Sequence, residues 1–188
     1  MFKGLIPAFA IVGLLSAMSA FSSDEVTKPS DLDATMHVEK LVLGSGCFWG
    51  AEKRYEALNG VLDAESGYAD GHGFKPTYRN ITKLSRRFDE DNYAEVVQVT
   101  FNSNIISAKE LLQNYYESHD PTQKNRQGND VGTQYRSIIL TTSDEQANTA
   151  LAVTGQYQQL LSKAGYGTIA TQIKPLERFY SAEEYHQN

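Results

Sequence analysis

The chemistry of this chain centres on Cys47, its single cysteine, which lies beside Phe48 and Trp49 in the glycine-bounded turn Gly44–Gly50. The apolar run at 41–43 precedes the turn and an amphipathic stretch follows it, so the order predicts strand, turn and helix. A thiol at the first turn of a helix faces unpaired N–H groups and the positive end of the helix dipole, which lower its pKa. We therefore predict a reactive thiolate; a buried structural cysteine is the alternative.

Glu95 is the second candidate, because it interrupts an otherwise apolar strand predicted over 93–101. The strand alternation places Glu95 on the same face as Val97 and Val99, which are core-like residues. A carboxyl buried there would have a raised pKa and would suit a general acid. An edge residue that faces water is the alternative.

Tyr68, Tyr78 and Tyr135 lie in or beside polar loops. A phenol at the rim of a cavity can donate a hydrogen bond to an oxyanion or a sulfoxide oxygen. The chain has eleven tyrosines, so a packing role is the alternative for each. Asp130, in the polar cluster 126–130, either accepts hydrogen bonds from a ligand or caps its loop.

Metal and disulfide chemistry are not expected, and we predict no metal and no cofactor. One cysteine excludes an internal disulfide and a cysteine-rich zinc site. The histidines lack metal-ligand spacing, and they are His37, His72, His119 and His186. We expect His119 to cap a helix end. A cysteine hydrolase would need one of these rings beside Cys47.

The elements that must position these residues predict an α+β fold, a two-layer α/β sandwich with a ferredoxin-like core and a mixed sheet. The predicted strands are 38–44, 61–68, 93–101, 135–141 and 169–173. The predicted helices are 49–58, a short one over 77–84, one capped by Ser107 with Glu110, and one from Ser143 to about 164. We interpret 122–132 as a loop without regular structure and 175–188 as an irregular or helical tail.

The N-terminal sequence predicts the cellular location of the protein and not a part of its fold. Lys3 precedes an uncharged, apolar run to residue 20, so residues 1–22 are interpreted as a cleaved secretory signal and 23–37 as a flexible linker before the domain at 38–188. An uncleaved membrane anchor is the alternative. We expect a periplasmic or secreted monomer without stable membrane association. The net charge of −6 argues against nucleic acid as a partner.

Six segments, in this order, resemble the A-type peptide methionine sulfoxide reductases, and the resemblance extends from about residue 38 to 187. They are Gly46–Gly50, Pro76–Arg79, Ala94–Val96, His119–Gln123, Arg126–Asp130 and Gly132–Ser137. The resemblance implies a ferredoxin-like α/β sandwich and reduction of the S epimer of methionine sulfoxide, in proteins and as the free amino acid, to methionine.

The resemblance also implies a role for each candidate residue. Cys47 would attack the sulfoxide sulfur, Glu95 would protonate the oxygen, and Phe48 with Trp49 would form the pocket for the methyl group. Tyr78 and Tyr135 would hydrogen-bond the oxygen, and Asp130 would orient the substrate. Cys47 would be left as a sulfenic acid.

Two departures from the family pattern stand out. The family usually has Gly-His-Ala-Glu where this chain has Asn92–Glu95, which leaves the surroundings of the acid open. Many relatives carry resolving cysteines near the C-terminus, and this sequence has none. We therefore expect an external thiol, from a thioredoxin-like protein or a small molecule, to reduce the sulfenic acid; truncation of a longer natural chain is the competing explanation. A cysteine hydrolase and a non-catalytic peptide-binding module are the alternative functions.

Overall fold

The computed structural model describes residues 36–187, and its fold is α+β. In chain order the strands are β1 (Val38–Ser45), β2 (Val61–Ala69), β3 (Ala94–Asn102), β4 (Arg126–Gln127), β5 (Asp130–Val131), β6 (Ser137–Thr141), β7 (Gln172–Pro175) and β8 (Phe179–Ser181). The α-helices are α1 (Ala51–Glu56), α2 (Tyr78–Ile81), α3 (Ala108–Glu117) and α4 (Asp144–Lys163). Short 3-10 turns span Phe48–Gly50, Leu84–Arg86, Thr133–Tyr135 and Glu184–His186.

Six strands form one sheet in the order β7-β6-β1-β3-β2-β8. The four central strands are antiparallel, with α1 between β1 and β2 and α3 between β3 and β6, which is the ferredoxin-like plan. Strand β7 pairs with β6 in parallel and makes the sheet mixed. The predicted fold class is therefore confirmed.

The sheet is buried on both faces. On one face, strand residues such as Leu43 and Val97 pack with Tyr55 of α1 and Leu111 of α3. The opposite face holds a smaller cluster that includes Val96 and Ile138, covered by Leu176 and Phe179. Full burial of one aliphatic side chain stabilises the fold by about 1.5–3 kcal/mol, so the two-sided burial explains the long apolar strands.

The two longest helices begin where the sequence predicts. Ser107 and Glu110 form a reciprocal capping box at the start of α3. Ser143 accepts a hydrogen bond from the backbone N–H of Gln146 at the start of α4.

Several predicted boundaries were wrong. The segment 122–132 is not without regular structure, because β4 and β5 form a small hairpin inside it. Tyr135 belongs to the 3-10 turn before β6 rather than to the strand. The tail holds β8, which pairs with the edge of β2. The predicted strand 169–173 begins three residues and ends two residues too early, since β7 forms where its residues pair with β6.

The predicted signal segment 1–22 lies outside the described residues, as does nearly all of the predicted linker 23–37. Within residues 36–187, every helix is too short or too polar to cross a bilayer. In the same part of the chain, histidine, cysteine, aspartate and glutamate side chains form no cluster of three or more that is arranged to hold a metal ion.

Candidate active site

The turn that carries Cys47 depends on close backbone packing. Gly46 has φ +100°, and a Cβ added there would lie 2.7 Å from Cβ of Gln127. A Cβ at Gly44 would lie 3.0 Å from the carbonyl oxygen of Glu95. Both glycines are therefore required, Gly46 for a conformation that side chains disfavour and Gly44 for contact between β1 and β3.

The predicted lowering of the Cys47 pKa is wrong. Cys47 is half-buried and precedes a 3-10 turn of only three residues, not the first turn of α1. Burial raises the pKa of the thiol, and the carboxylates of Glu95 and Asp130 raise it further. The hydrogen bond from the backbone of Trp49 lowers the pKa of Cys47 without reversing the shift. The resting group is therefore a thiol.

Glu95 lies in the core, as the alternation of its strand predicts, and only 1% of it is exposed. Its Oε2 accepts the backbone N–H of Phe48 at 3.3 Å, whereas its Oε1 has no hydrogen-bond partner in the described chain. Burial raises the pKa of Glu95 to about 8, although the bond from Phe48 lowers it. The carboxyl is thus a neutral acid at pH 7, and it lies next to the turn of Cys47.

Tyr78, Tyr135 and Asp130 line one cleft of about 270 Å³. The N-cap Thr77 fixes the start of α2, because its Oγ1 accepts the N–H of Asn80 at 3.3 Å. Burial and the charge of Glu95 raise the pKa of Tyr135 to about 12, and they also raise the pKa of Tyr78. Both phenols therefore keep their protons and remain hydrogen-bond donors across the neutral range.

The two aromatic residues after Cys47 have different environments. Phe48 is 1% exposed, and its ring centroid lies 5.8 Å from that of Tyr68 and 5.1 Å from that of His186. Trp49 is 64% exposed, and its Nε1 donates a hydrogen bond to Nδ1 of His186 at 2.8 Å. Phe48 is a fixed wall of the site, and Trp49 is an exposed ring held at one edge.

His186 belongs to the site, although the sequence analysis assigned it no role. Its ring centroid lies 4.5 Å from that of Tyr78. Because Nδ1 accepts from Trp49, the neutral ring carries its proton on Nε2, and burial lowers its pKa. Trp49 and His186 are 137 positions apart, so no local pattern connects them.

Glu183 is a second residue that the sequence analysis missed. Its two oxygens accept the hydroxyl of Tyr68 at 2.7 Å and the backbone N–H of Tyr78 at 3.0 Å. Burial alone would raise the pKa of Glu183, but these hydrogen bonds outweigh it and lower the pKa. The carboxylate joins the tail of the chain to the start of α2.

His119 takes part in a buried network below the turn, at the helix end where capping was predicted. Its Nδ1 lies 2.8 Å from the carbonyl oxygen of Tyr115, and its Nε2 lies 2.8 Å from Oγ of Ser137. The hydroxyl of Tyr115 donates to the carbonyl of Gly44 at 3.0 Å. Both nitrogens of His119 are thus engaged, and within residues 36–187 no histidine makes the hydrogen bond to Cys47 that a cysteine hydrolase requires.

The altered run before Glu95 is integrated into the fold. Asn92 is fully buried, and its Nδ2 donates to the carbonyl oxygens of Ile81 and Arg86 at 2.9 and 3.2 Å. Tyr93 packs edge-on against Phe74. The replacement of the usual residues therefore leaves Glu95 in a closed environment.

Comparisons with known proteins agree on one family. A family model described as peptide methionine sulfoxide reductase matches residues 39–188. The chain is 40% identical to the mitochondrial peptide methionine sulfoxide reductase of Mus musculus, over 92% of this chain and 79% of that protein. Its fold is similar to methionine sulfoxide reductase A of Corynebacterium diphtheriae, with a TM-score of 0.73 and 39% identity over 80% of this chain and 72% of the other.

A third comparison concerns a complex. The chain is similar to Mxr1 from Saccharomyces cerevisiae in a crystal structure with Trx2, with a TM-score of 0.56 and 28% identity. The match covers 80% of this chain and 85% of Mxr1.

Proposed function

The chain belongs to the peptide methionine sulfoxide reductase family, and we propose that Cys47, Glu95 and the phenols of Tyr78 and Tyr135 reduce the S epimer of methionine sulfoxide. The enzyme is an oxidoreductase that returns methionine sulfoxide to methionine. One observation supports this assignment of roles above all. Burial raises the pKa of the Glu95 carboxyl to about 8, and this carboxyl accepts a hydrogen bond from the backbone N–H of Phe48, the residue after Cys47.

The proposed reaction transfers one oxygen atom from sulfur to sulfur. Glu95 donates its proton to the sulfoxide oxygen, which makes the sulfoxide sulfur electrophilic. The sulfur of Cys47 attacks this sulfur and forms an S–S bond to it. The oxygen then moves to Cys47: the S–O bond of the substrate and the new S–S bond break, and an S–O bond on Cys47 forms. The products are methionine and a sulfenic acid, and the thiol proton restores Glu95. The substrate sulfur gains two electrons and Cys47 loses them.

Tyr78 and Tyr135 stabilise the oxygen while this transfer takes place. Because their pKa values are raised, both phenols can donate a hydrogen bond at neutral pH. The two side chains line the same cleft, which supports their action on one oxygen.

Phe48 and Trp49 bind the methyl group on the sulfoxide sulfur. Phe48 supplies the buried apolar wall and Trp49 the exposed one. Asp130, an exposed residue at the cleft, accepts a hydrogen bond from the substrate and orients it.

An external thiol completes the cycle. Cys47 is the one cysteine of the 188 residues, so the sulfenic acid has no partner within this sequence. A structure of the related Mxr1 contains Trx2, which supports a thioredoxin-like reductant here. Attack of its thiolate on Cys47 forms a mixed disulfide and water, and a second thiol then releases the reductase.

The function is tested with purified protein and separate S and R epimers of a methionine sulfoxide substrate. Dithiothreitol and then thioredoxin with its reductase serve as reductants. We expect turnover of the S epimer alone with both. Substrate binding without turnover would instead identify a non-catalytic binding module, and peptide cleavage would identify a hydrolase.

We further propose that the protein is exported and repairs oxidised proteins outside the cytoplasm as a monomer. The support is the sequence of residues 1–22, with Lys3 followed by an apolar run. N-terminal sequencing of the protein expressed in its own cells checks the proposal. A mature start near residues 20–23 in an extracytoplasmic fraction is expected, and a cytoplasmic protein that starts at residue 1 contradicts it.

A further inference from the structure

Leu84 is an unusually exposed apolar residue at the edge of the active-site cleft. It is 85% exposed, and it lines the same cleft as Tyr78 and Tyr135. Isolated exposed leucines are common on protein surfaces. This one lines the same cleft as Tyr78 and Tyr135, the phenols proposed to bind the sulfoxide oxygen, so a polypeptide bound there would pass close to it.

The backbone that presents Leu84 is fixed. The 3-10 turn Leu84–Arg86 is held by Asn92, whose side-chain nitrogen donates to the carbonyl oxygen of Arg86 at 3.2 Å. The next residue, Arg87, donates from its Nε to the carbonyl oxygen of Val131 at 3.0 Å and accepts the N–H of Thr133 at 2.9 Å. These bonds join the turn to the segment that leads to Tyr135.

We propose that Leu84, at the rim of the cleft, forms a subsite for the residue next to the methionine sulfoxide in a polypeptide, and that this subsite prefers an apolar residue. The proposal rests on the proposed function. It adds a specificity-determining residue to that function, because Leu84 contacts the neighbouring residue and not the sulfoxide.

The chemistry of the cleft favours an extended polypeptide as the occupant. Asn129 and Asp130 lie in the same lining, and their side-chain oxygens can accept backbone N–H groups. The cleft of about 270 Å³ is below the size of pockets that enclose drug-sized ligands. It therefore has room for the methionine sulfoxide side chain and its backbone, so the neighbouring residue lies at the rim of the cleft, where Leu84 supplies the apolar contact.

The test compares kcat/KM for blocked peptides with a leucine, serine or aspartate next to methionine sulfoxide, each divided by the value for free methionine sulfoxide. The wild type should prefer the leucine peptide. In Leu84→Ser the ratio for the leucine peptide should fall about fivefold, which corresponds to about 1 kcal/mol. Leu84→Lys should shift the preference toward the aspartate peptide. Leu160→Ser, which alters a leucine on α4 that is 58% exposed, is the matched control and should keep the wild-type ratios.

Three results would contradict the proposal that Leu84 forms this subsite. The first is equal ratios for the three peptides in the wild type. The second is a ratio that Leu84→Ser leaves unchanged. The third is a Leu84→Ser defect that occurs with thioredoxin and not with dithiothreitol, which would assign the surface to the reductant. Failure of the wild type to reduce free methionine sulfoxide would overturn the proposed function itself, and the subsite with it.

Discussion

The backbone N–H of Phe48 donates to Oε2 of Glu95 at 3.3 Å, and this hydrogen bond joins the turn that carries Cys47 to strand β3. Oε1 of the same carboxyl stays without a partner in the described chain. A buried oxygen that the fold leaves unpaired costs stability unless a ligand or water satisfies it. The arrangement therefore holds one end of the carboxyl in place and leaves the other, which we propose protonates the substrate oxygen, without a partner among the described residues.

Replacement of Cys47 by serine should abolish turnover. A hydroxyl is far less nucleophilic than a thiol at neutral pH and does not carry the oxygen away as a sulfenic acid. Reduction of the S epimer with dithiothreitol is the measurement, and a circular dichroism spectrum like that of the wild type is the control. Turnover at the wild-type rate would exclude Cys47 as the nucleophile.

Replacement of Glu95 by glutamine should lower kcat by about 10²–10⁴-fold, the range for loss of a general acid. The acid is active when protonated, and its pKa is about 8, so the wild-type rate of the acid-dependent step should fall as the pH rises through 8. Glu95→Gln should lose this alkaline decline. The profile is measured from pH 6 to 10 with saturating reductant; an identical profile in both proteins would refute the role.

Removal of either phenol should slow the reduction step. Loss of one donor to a developing oxyanion costs about 10²–10³-fold in kcat, which we expect for Tyr78→Phe and for Tyr135→Phe. Tyr166→Phe, at a residue that is 58% exposed, is the matched control. Single-turnover rates without external thiol separate this step from the recycling of Cys47. Wild-type rates in both variants would remove the phenols from the mechanism.

Replacement of Glu183 by glutamine should destabilise the fold by about 2 kcal/mol near pH 7, because two hydrogen bonds to a charged carboxylate are weakened. The folded pKa of Glu183 is lowered, so its contribution is present above the unfolded pKa of about 4.3 and is lost as the pH falls through the folded value. Urea unfolding at pH 7 and below pH 4 measures the difference, which should shrink in acid. The exposed Glu90→Gln should differ little from wild type at either pH. A deficit of equal size at both pH values would contradict the argument.

Oxidation of the enzyme by its substrate in the absence of thiol should yield one sulfenic acid per chain. Cys47 is the one cysteine of the sequence, so the oxygen has one acceptor. Mass spectrometry after trapping with a dimedone-type reagent counts the adducts against the methionine released. Stoichiometric methionine without any adduct would count against the proposed cycle.

Part of the site was predictable because short-range patterns carry it. The alternation around Glu95 places the carboxyl in the core, and the Gly44–Gly50 turn places Cys47 between β1 and α1. The pKa of Cys47 was predicted in the wrong direction because it depends on burial by distant elements, which the turn does not reveal. The sequence predicted Cys47 in the first turn of a helix, but a 3-10 turn of three residues separates the thiol from the start of α1.

The contributions of Glu183 and His186 were not predictable from the sequence pattern. Each joins the site through contacts with residues more than a hundred positions away. Their segment was interpreted as a tail because β8 has only three residues and is stabilised by pairing with β2, not by its own propensity. The hairpin before Tyr135 was missed for the same reason, since each of its strands has two residues.

The position of β8 at the edge of β2 has a consequence for the order of events during synthesis. Trp49 leaves the ribosome 137 residues before His186, its hydrogen-bond partner. In a chain made only as far as β7, the edge of β2 is therefore unpaired and the start of α2 lacks the carboxylate that fixes it. A chain that lacks residues 179–186 therefore has Cys47 without the contacts that Glu183 makes with Tyr78 and His186 makes with Trp49.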